Sequence, residues 1–228
     1  MTWALLALPL VLGGGYLYWR YVWFFRNPER QPPSGENIVS PADGTVVYVT
    51  LVQPGEDVVT IKQGVRAKVA DILREEQEGA QVHIGIFMSP FNVHYNRVPL
   101  AGRVEFIKHH PPILKNYHMG PMHWRTLLSR SPLYRHSLHI VGNERTVTKV
   151  TGKFQGQEVP YYVIQIAGKS VKGIDSYTRP GAAVDKGAVF GMIRIGSQVD
   201  LVLPHQPGMK ILARPGDRVR AGESILIS

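Results

Sequence analysis

Arg179-Pro180-Gly181-Ala182-Ala183-Val184-Asp185-Lys186-Gly187 returns 35 residues later as Arg214-Pro215-Gly216-Asp217-Arg218-Val219-Arg220-Ala221-Gly222. A partial copy stands earlier, at Gln53-Pro54-Gly55-Glu56-Asp57-Val58. In each, proline and glycine make a tight turn, the valine points inward, and the later glycine turns the chain again. Each copy is therefore a compact β-turn-β unit, and a chain made of such units is mainly β (α+β). The rest of the sequence agrees. β-branched and aromatic residues concentrate at 45–51, 58–61, 82–88, 146–150, 161–166 and 199–203. Residues 68–78 are the expected helix of the domain, with Val69, Ile72 and Leu73 apolar and charges elsewhere. Residues 109–133 have four prolines and no clean period, and read as irregular.

Ahead of the β-rich region lies an uncharged run, residues 2–19, then Arg20, then Tyr21-Val22-Trp23-Phe24-Phe25 and Arg26. That length suits a spanning or deeply embedded helix if Arg20 snorkels. A cleaved signal peptide carries its basic residues before the apolar run. Here Arg20, Arg26 and Arg30 follow it, and aromatics crowd its end like an interfacial belt. Pro9 and Gly13-Gly14-Gly15 weaken the helix, so spanning and monotopic anchors are both open. The positive-inside tendency puts the body of the protein on the cytoplasmic side of a cell membrane. The expected organisation is a membrane anchor at 1–26, a linker at 27–37 and a folded domain at 38–228.

Charge narrows the partners. The chain carries +9, and residues 101–150 hold eight Lys and Arg against Glu105 and Glu144, with six of the nine histidines. A basic domain tethered to a bilayer meets anionic lipid, and no nucleic-acid-binding motif is present. The absence of cysteine excludes disulfides, thiol nucleophiles and Cys-ligated zinc. His83, His94, His109 and His110 lack metal-ligand spacing, so no metal is expected. A Gly-x-Ser-x-Gly elbow is also missing, which removes the usual serine hydrolase.

The repeat resembles the half-motif of biotinyl- and lipoyl-like barrel-sandwich domains. That implies a barrel-sandwich-like β domain and one possible role, a membrane-tethered adaptor without catalysis. Pro207-Gly208-Met209-Lys210 looks like part of a biotinyl hairpin. A carrier needs its lysine after the first repeat unit, however, and this chain stops 18 residues after Lys210. The other candidate is Gly196-Ser197, set between the two repeat copies in Phe190-Gly191-Met192-Ile193-Arg194-Ile195-Gly196-Ser197-Gln198-Val199-Asp200. An isolated Gly-Ser is ordinarily a turn. At a sharp break between strands, glycine lets the backbone strain and exposes its carbonyl to the neighbouring hydroxyl.

Residues 192–200 stand with Ser40-Pro41-Ala42-Asp43-Gly44, Phe87-Met88-Ser89-Pro90-Phe91-Asn92-Val93-His94-Tyr95-Asn96-Arg97-Val98-Pro99 and Asn143-Glu144-Arg145. Together, in this order, they resemble the phosphatidylserine decarboxylase proenzymes, in the short single-anchor form of that family. The likeness starts at Phe24-Phe25-Arg26-Asn27-Pro28 and runs to about Pro204. It implies self-cleavage between Gly196 and Ser197 into chains 1–196 and 197–228, with Ser197 converted to a covalent pyruvoyl cofactor. Serine suits that position because it is both a nucleophile and a β-leaving group. The ketone would bind the substrate amine and draw electrons from it, the part pyridoxal phosphate plays elsewhere. The implied reaction turns phosphatidylserine, in an anionic membrane, into phosphatidylethanolamine. The two cleaved chains are expected to stay associated, and a homodimer is expected by analogy.

The resemblance also assigns roles. Asp43 takes part in maturation, orienting or accepting a proton from the attacking group, although Asp-Gly is also a common turn pair. His94 is the general acid or substrate-orienting group. Longer family members carry a second histidine three positions on, where this chain has Arg97. The maturation base is therefore Asp43 alone or a histidine from elsewhere, such as His83. The histidine-rich stretch 109–139 is read as a headgroup or membrane contact.

Overall fold

The computed structural model describes every residue except Met1, Gln63, 170–172 and Ile195, with backbone alone for 2–7. Helix α1 (Thr2–Tyr18) runs into a π-helical stretch, Trp19–Trp23. The domain then begins with β1 (Ile38–Val39), β2 (Gly44–Val52), β3 (Asp57–Lys62), β4 (Val65–Lys68), α2 (Val69–Leu73), β5 (Gln81–Met88), β6 (Tyr95–Arg97) and β7 (Gly102–His110). Next come α3 (Gly120–Leu127), α4 (His139–Gly142), β8 (Arg145–Phe154), β9 (Gln157–Ala167) and β10 (Ile174–Ser176). The chain ends with β11 (Ala183–Val184), β12 (Val189–Ile193), β13 (Ser197–Pro204), β14 (Arg218–Val219) and β15 (Ile225–Ile227). The protein is mainly β. Its largest element is a curled half-barrel of eight strands, in the order β11-β7-β8-β9-β13-β5-β2-β14.

The two repeat copies close the two ends of that sheet, β11 pairing with β7 and β14 with β2. Their backbone bonds correspond. Gly181 N–H donates to Val104 O and Gly216 N–H to Val46 O, while Gly187 N–H donates to Val98 O and Gly222 N–H to Ser40 O, all at 2.8 Å. These four glycines all hold positive φ, the backbone angle for which the repeat needs them. The partner segments match as well: Val98-Pro99-Leu100-Ala101-Gly102-Arg103-Val104 stands in one half where Ser40-Pro41-Ala42-Asp43-Gly44-Thr45-Val46 stands in the other. Val39 N–H donates to Pro99 O and Arg97 N–H to Pro41 O, which ties the halves together.

Alternation along β13 divides the core in two. Val199, Leu201 and Leu203 pack with Ile84, Ile86, Met88, Phe190 and Ile193 on one face. Val202 and Phe87 pack on the other, beneath Ile72 of α2, Met122 of α3 and Ile140 of α4.

Several local expectations change. The helix expected at 68–78 stops after Leu73, because Arg74 turns to φ 62 and its Nη2 donates to Val141 O at 2.7 Å. Beyond it, Glu75, Glu76 and Glu78 offer no apolar side to bury. Segment 109–133 is not irregular throughout. β7 continues to His110, and α3 begins at Gly120 with Pro121 in its first turn, where a missing N–H costs nothing. The expected linker lies on the domain: Arg97 Nη2 donates to Asn27 Oδ1 at 2.7 Å and Pro28 O at 3.0 Å. No helix among the described residues is long and apolar enough to cross a membrane.

Candidate functional site

Gly196 and Ser197 stand at the entry to β13. Gly196 holds φ +64, a left-handed angle that disfavours a residue with Cβ. Ser197 is fixed from both sides, opposite Met88 of β5 and Ala167 of β9. It is fully buried, and its Oγ has Met88 Sδ at 3.3 Å, a weak acceptor. Asn96 Nδ2 approaches the same sulfur at 3.7 Å, and Gln165 Nε2 donates to Asn96 Oδ1 at 2.8 Å. On the other side of the peptide, Gly196 O accepts the Gly168 N–H at 3.0 Å. The serine hydroxyl thus lacks a strong hydrogen-bond partner among the described residues, while the carbonyl beside it is held.

His94 sits beside the end of β12, where its carbonyl accepts Ile193 N–H at 3.3 Å. It is fully buried beneath the Phe24 ring, with centroids 4.4 Å apart. Nδ1 donates to Asn92 O at 2.9 Å, which leaves the lone pair on Nε2. Nε2 is buried and has no hydrogen-bond partner among the described residues. Burial brings the His94 pKa down to about 4, with the Asn92 bond opposing and the Arg26 charge assisting. At neutral pH His94 is therefore uncharged, with its free lone pair on Nε2.

Asp43 is placed differently. Its carboxylate accepts Arg30 Nη2, at 2.9 Å to Oδ2, and the Ala221 N–H at 2.7 Å. Arg30 also reaches Glu223 at 3.0 Å, so one guanidinium joins both carboxylates. Thr45 and Gln198 both face Phe87, so Asp43 lies two strands from Ser197, roughly 10 Å at about 4.8 Å per strand. Arg97 spends its guanidinium on Gly187 O, Asn27 Oδ1 and Pro28 O, none of which contacts the serine hydroxyl. His83 lies on the opposite face of the sheet, bonded at 3.1 Å to Asp200 Oδ2, and this removes it as a base for Ser197.

That opposite face carries a polar group that the sequence reading did not single out. Asp200 accepts Tyr48 O–H and Gln198 Nε2–H, each at 2.7 Å, and Gln198 Oε1 accepts His139 Nε2–H at 2.9 Å. All of them are buried. Burial also lowers the His139 pKa to about 4, the Gln198 bond opposing. Gln198 is thereby clamped on one face immediately after Ser197 on the other. Met88, Asn96 and Gln165 were likewise missed. Gln165, a polar residue within Val163-Ile164-Gln165-Ile166, was the available signal.

Two cavities approach the site. One of about 200 Å³ is lined by Phe87, His118, Met119, Gly168, Lys169 and Gly196. The other, a cleft of about 800 Å³, has Asp43, Phe91, Asn92, Leu127, Arg218 and Arg220 on its walls. Phe87 and His123 belong to both, so the cleft adjoins the pocket that ends at the Gly-Ser peptide.

The sequence profile of the phosphatidylserine decarboxylase family matches residues 17–227. A phosphatidylserine decarboxylase proenzyme of Pelobacter propionicus is 34% identical over 206 residues, covering 90% of this chain and 74% of that protein. The one of Rhodopirellula baltica is 30% identical, covering 98% and 75%. A Methanopyrus kandleri proenzyme named for archaetidylserine decarboxylation is 32% identical, covering 99% and 95%. The profile spans most of the chain, and the chain belongs to the phosphatidylserine decarboxylase family.

Proposed function

We propose that the protein is a membrane-held proenzyme that cuts itself between Gly196 and Ser197 and then decarboxylates phosphatidylserine to phosphatidylethanolamine. The observation that carries this is the left-handed Gly196 beside a buried serine whose hydroxyl touches a thioether. Ser197 Oγ attacks the Gly196 carbonyl carbon and the C–N bond breaks, with the hydroxyl proton ending on the released amine. The product is an ester. Loss of the Ser197 α-proton then expels the Gly196 carboxylate from the β-carbon. The resulting dehydroalanine takes up water and releases ammonia, leaving a pyruvoyl group at position 197. No oxidant is required.

The surroundings fit such a group, since the Ser197 hydroxyl touches only the Met88 thioether and the small pocket lined by Gly168 and Lys169 ends at Gly196. When formed, the pyruvoyl supplies a ketone that binds the substrate amine and accepts the electrons left by the departing carboxylate. His94 Nε2 takes the proton that the substrate ammonium must lose, and returns it to the carbon once carbon dioxide has left. Asp43 serves maturation by holding Arg30 and the C-terminal turn. Arg218 and Arg220 on the cleft wall offer positive charge to the lipid phosphate. The cut chains stay together because β13 lies between β5 and β9 in the middle of the sheet. The matched repeat halves support a barrel-sandwich likeness for the domain, 38–228.

The anchor reading rests on α1, which is apolar on every side, and on its junction with the cleft. Arg26 Nη2 donates to Phe91 O at 2.6 Å, and Trp19 lies 6.2 Å from the Phe91 ring. Phe91 and Leu127 on the cleft wall are exposed, as are Trp124 and Leu128 beside Leu127, which supports a bilayer and a substrate entrance on one side. The positive-inside tendency assigns that side to the cytoplasm. The long match to the Methanopyrus proenzyme favours a second reading of the lipid backbone with the same serine headgroup. Parallel assays on phosphatidylserine and archaetidylserine vesicles separate the two.

Intact mass tests the central claim. Two chains are expected, 1–196 and 197–228, the smaller one blocked at its N-terminus and reactive toward carbonyl reagents. Ser197→Ala should remain one inactive chain of 228 residues. A wild-type protein that stays whole yet decarboxylates overturns the mechanism.

A further inference from the structure

We propose that the backbone N–H of Gly168 is the oxyanion donor for self-cleavage. This rests on the proposed cut at Gly196-Ser197. When Ser197 Oγ adds to the Gly196 carbonyl, the C=O π pair moves onto the oxygen, and that oxygen needs a fixed donor. Gly168 N–H already points at it, at 3.0 Å. The register explains why. Ser197 opposes Ala167 across the β9–β13 ladder, so the next bond of the ladder runs from residue 168 to residue 196. The donor is set by the sheet before the reaction begins, and no reorganisation is needed as charge develops.

The identity of residue 168 follows from the same contact. A Cβ on Gly168 would lie 2.4 Å from Gly196 O and 3.4 Å from its carbonyl carbon. The first distance is shorter than any side chain tolerates, and the atom struck is backbone rather than a flexible tip. Gly168 also lines the small pocket together with Gly196 and Lys169, so the carbonyl is approached by one donor at the edge of a cavity.

The test removes the hydrogen and keeps the shape. Glycolic acid incorporated at position 168 replaces the peptide N–H by an ester oxygen. The same replacement at position 167, by lactic acid, is the control, because Ala167 N–H donates to Glu144 O at 3.0 Å and not to the scissile carbonyl. Processing is followed on denaturing gels after synthesis of each precursor, with limited proteolysis to verify folding. The ester at 168 should slow cleavage by about 100- to 1,000-fold, the usual cost of one oxyanion donor. The ester at 167 should cleave near the wild-type rate. Gly168→Ala should also remain uncut, and hydroxylamine, which splits esters but spares amides, should release no 197–228 fragment from it. Equal rates for the two esters overturn the proposal while leaving self-cleavage intact. Release of the fragment from Gly168→Ala by hydroxylamine also overturns it, because the block would then follow ester formation. A wild-type chain that never cuts overturns both this and the reading beneath it.

Discussion

Asp43 and Ala101 occupy matching places in the two halves, each followed by a glycine that starts a long strand. Since Ala101 makes the same turn, the turn does not require an aspartate, and the carboxylate is there for what it binds. It binds Arg30 and the Ala221 N–H. An acceptor for the Ser197 proton would have to give up Arg30 first. Asp43→Asn is therefore expected to accumulate uncut chain on a denaturing gel, and Arg30→Met to do the same. If Arg30→Met cuts at the wild-type rate while Asp43→Asn does not, Asp43 is a base and not a holder. His94 behaves otherwise. With its lone pair on a buried Nε2, it is assigned to turnover, so His94→Ala should be cut normally and lose about 100- to 10,000-fold in decarboxylation rate. An uncut His94→Ala would transfer the histidine to maturation.

β13 shows how one strand serves two purposes. Its first residue, Ser197, turns its hydroxyl to Met88 on one face, and its second and fourth, Gln198 and Asp200, face the buried network with Tyr48, His83 and His139 on the other. Removing the Asp200 carboxylate strands three buried donors at about 1–3 kcal/mol each. Asp200→Ala, placed in the uncut Ser197→Ala background, should lose several kcal/mol in urea unfolding, and a loss below about 1 kcal/mol would show the network to be idle. The histidines add a pH dependence. His94 and His139 are held neutral with pKa values of about 4, below the ordinary 6.5, so between these values the unfolded chain binds more protons than the folded one. Stability is complete above about pH 6.5 and falls on acidification toward pH 4, on the order of 3 kcal/mol per histidine. A melting temperature flat across that window contradicts the assignment. The strands themselves were legible because alternation and Pro-Gly turns are local signals. β7 was not, although Arg103-Val104-Glu105-Phe106 alternates, because the alternation is short and is interrupted by the bulge at Val104–Phe106 and the adjacent Phe106-Ile107 pair. α3 was hidden by reading Pro121 as a breaker when it starts the helix. Met88, Asn96 and Gln165 meet from three separate strands, so no stretch of sequence could announce their contact.

At the scale of the whole molecule, the N-terminal segment is tied to the domain more closely than its composition indicates. Phe24 is fully buried on His94, Arg26 holds the Phe91 carbonyl, and Arg30 joins Asp43 to Glu223. The N-terminal segment and His94 are therefore joined through one side chain, Phe24, whose removal would open His94 to water. Two truncations separate membrane attachment from this packing. Deleting residues 1–18 removes α1 and leaves Phe24 in place, so the protein should leave the membrane fraction, still cut itself and still turn over substrate dispersed in detergent. Deleting 1–26 should also release it and permit cleavage, because Gly196, Ser197 and Gly168 lie elsewhere, but turnover should collapse as His94 loses its cover. Phe24→Ala in the full chain should reproduce the turnover loss while the protein stays with the membrane. Moderate salt should not detach the full chain, since buried apolar contact is not screened as surface charge is. Equal turnover by the two truncations would show that Phe24 does no more than fill space, and a full chain found in the soluble fraction would remove the anchor altogether.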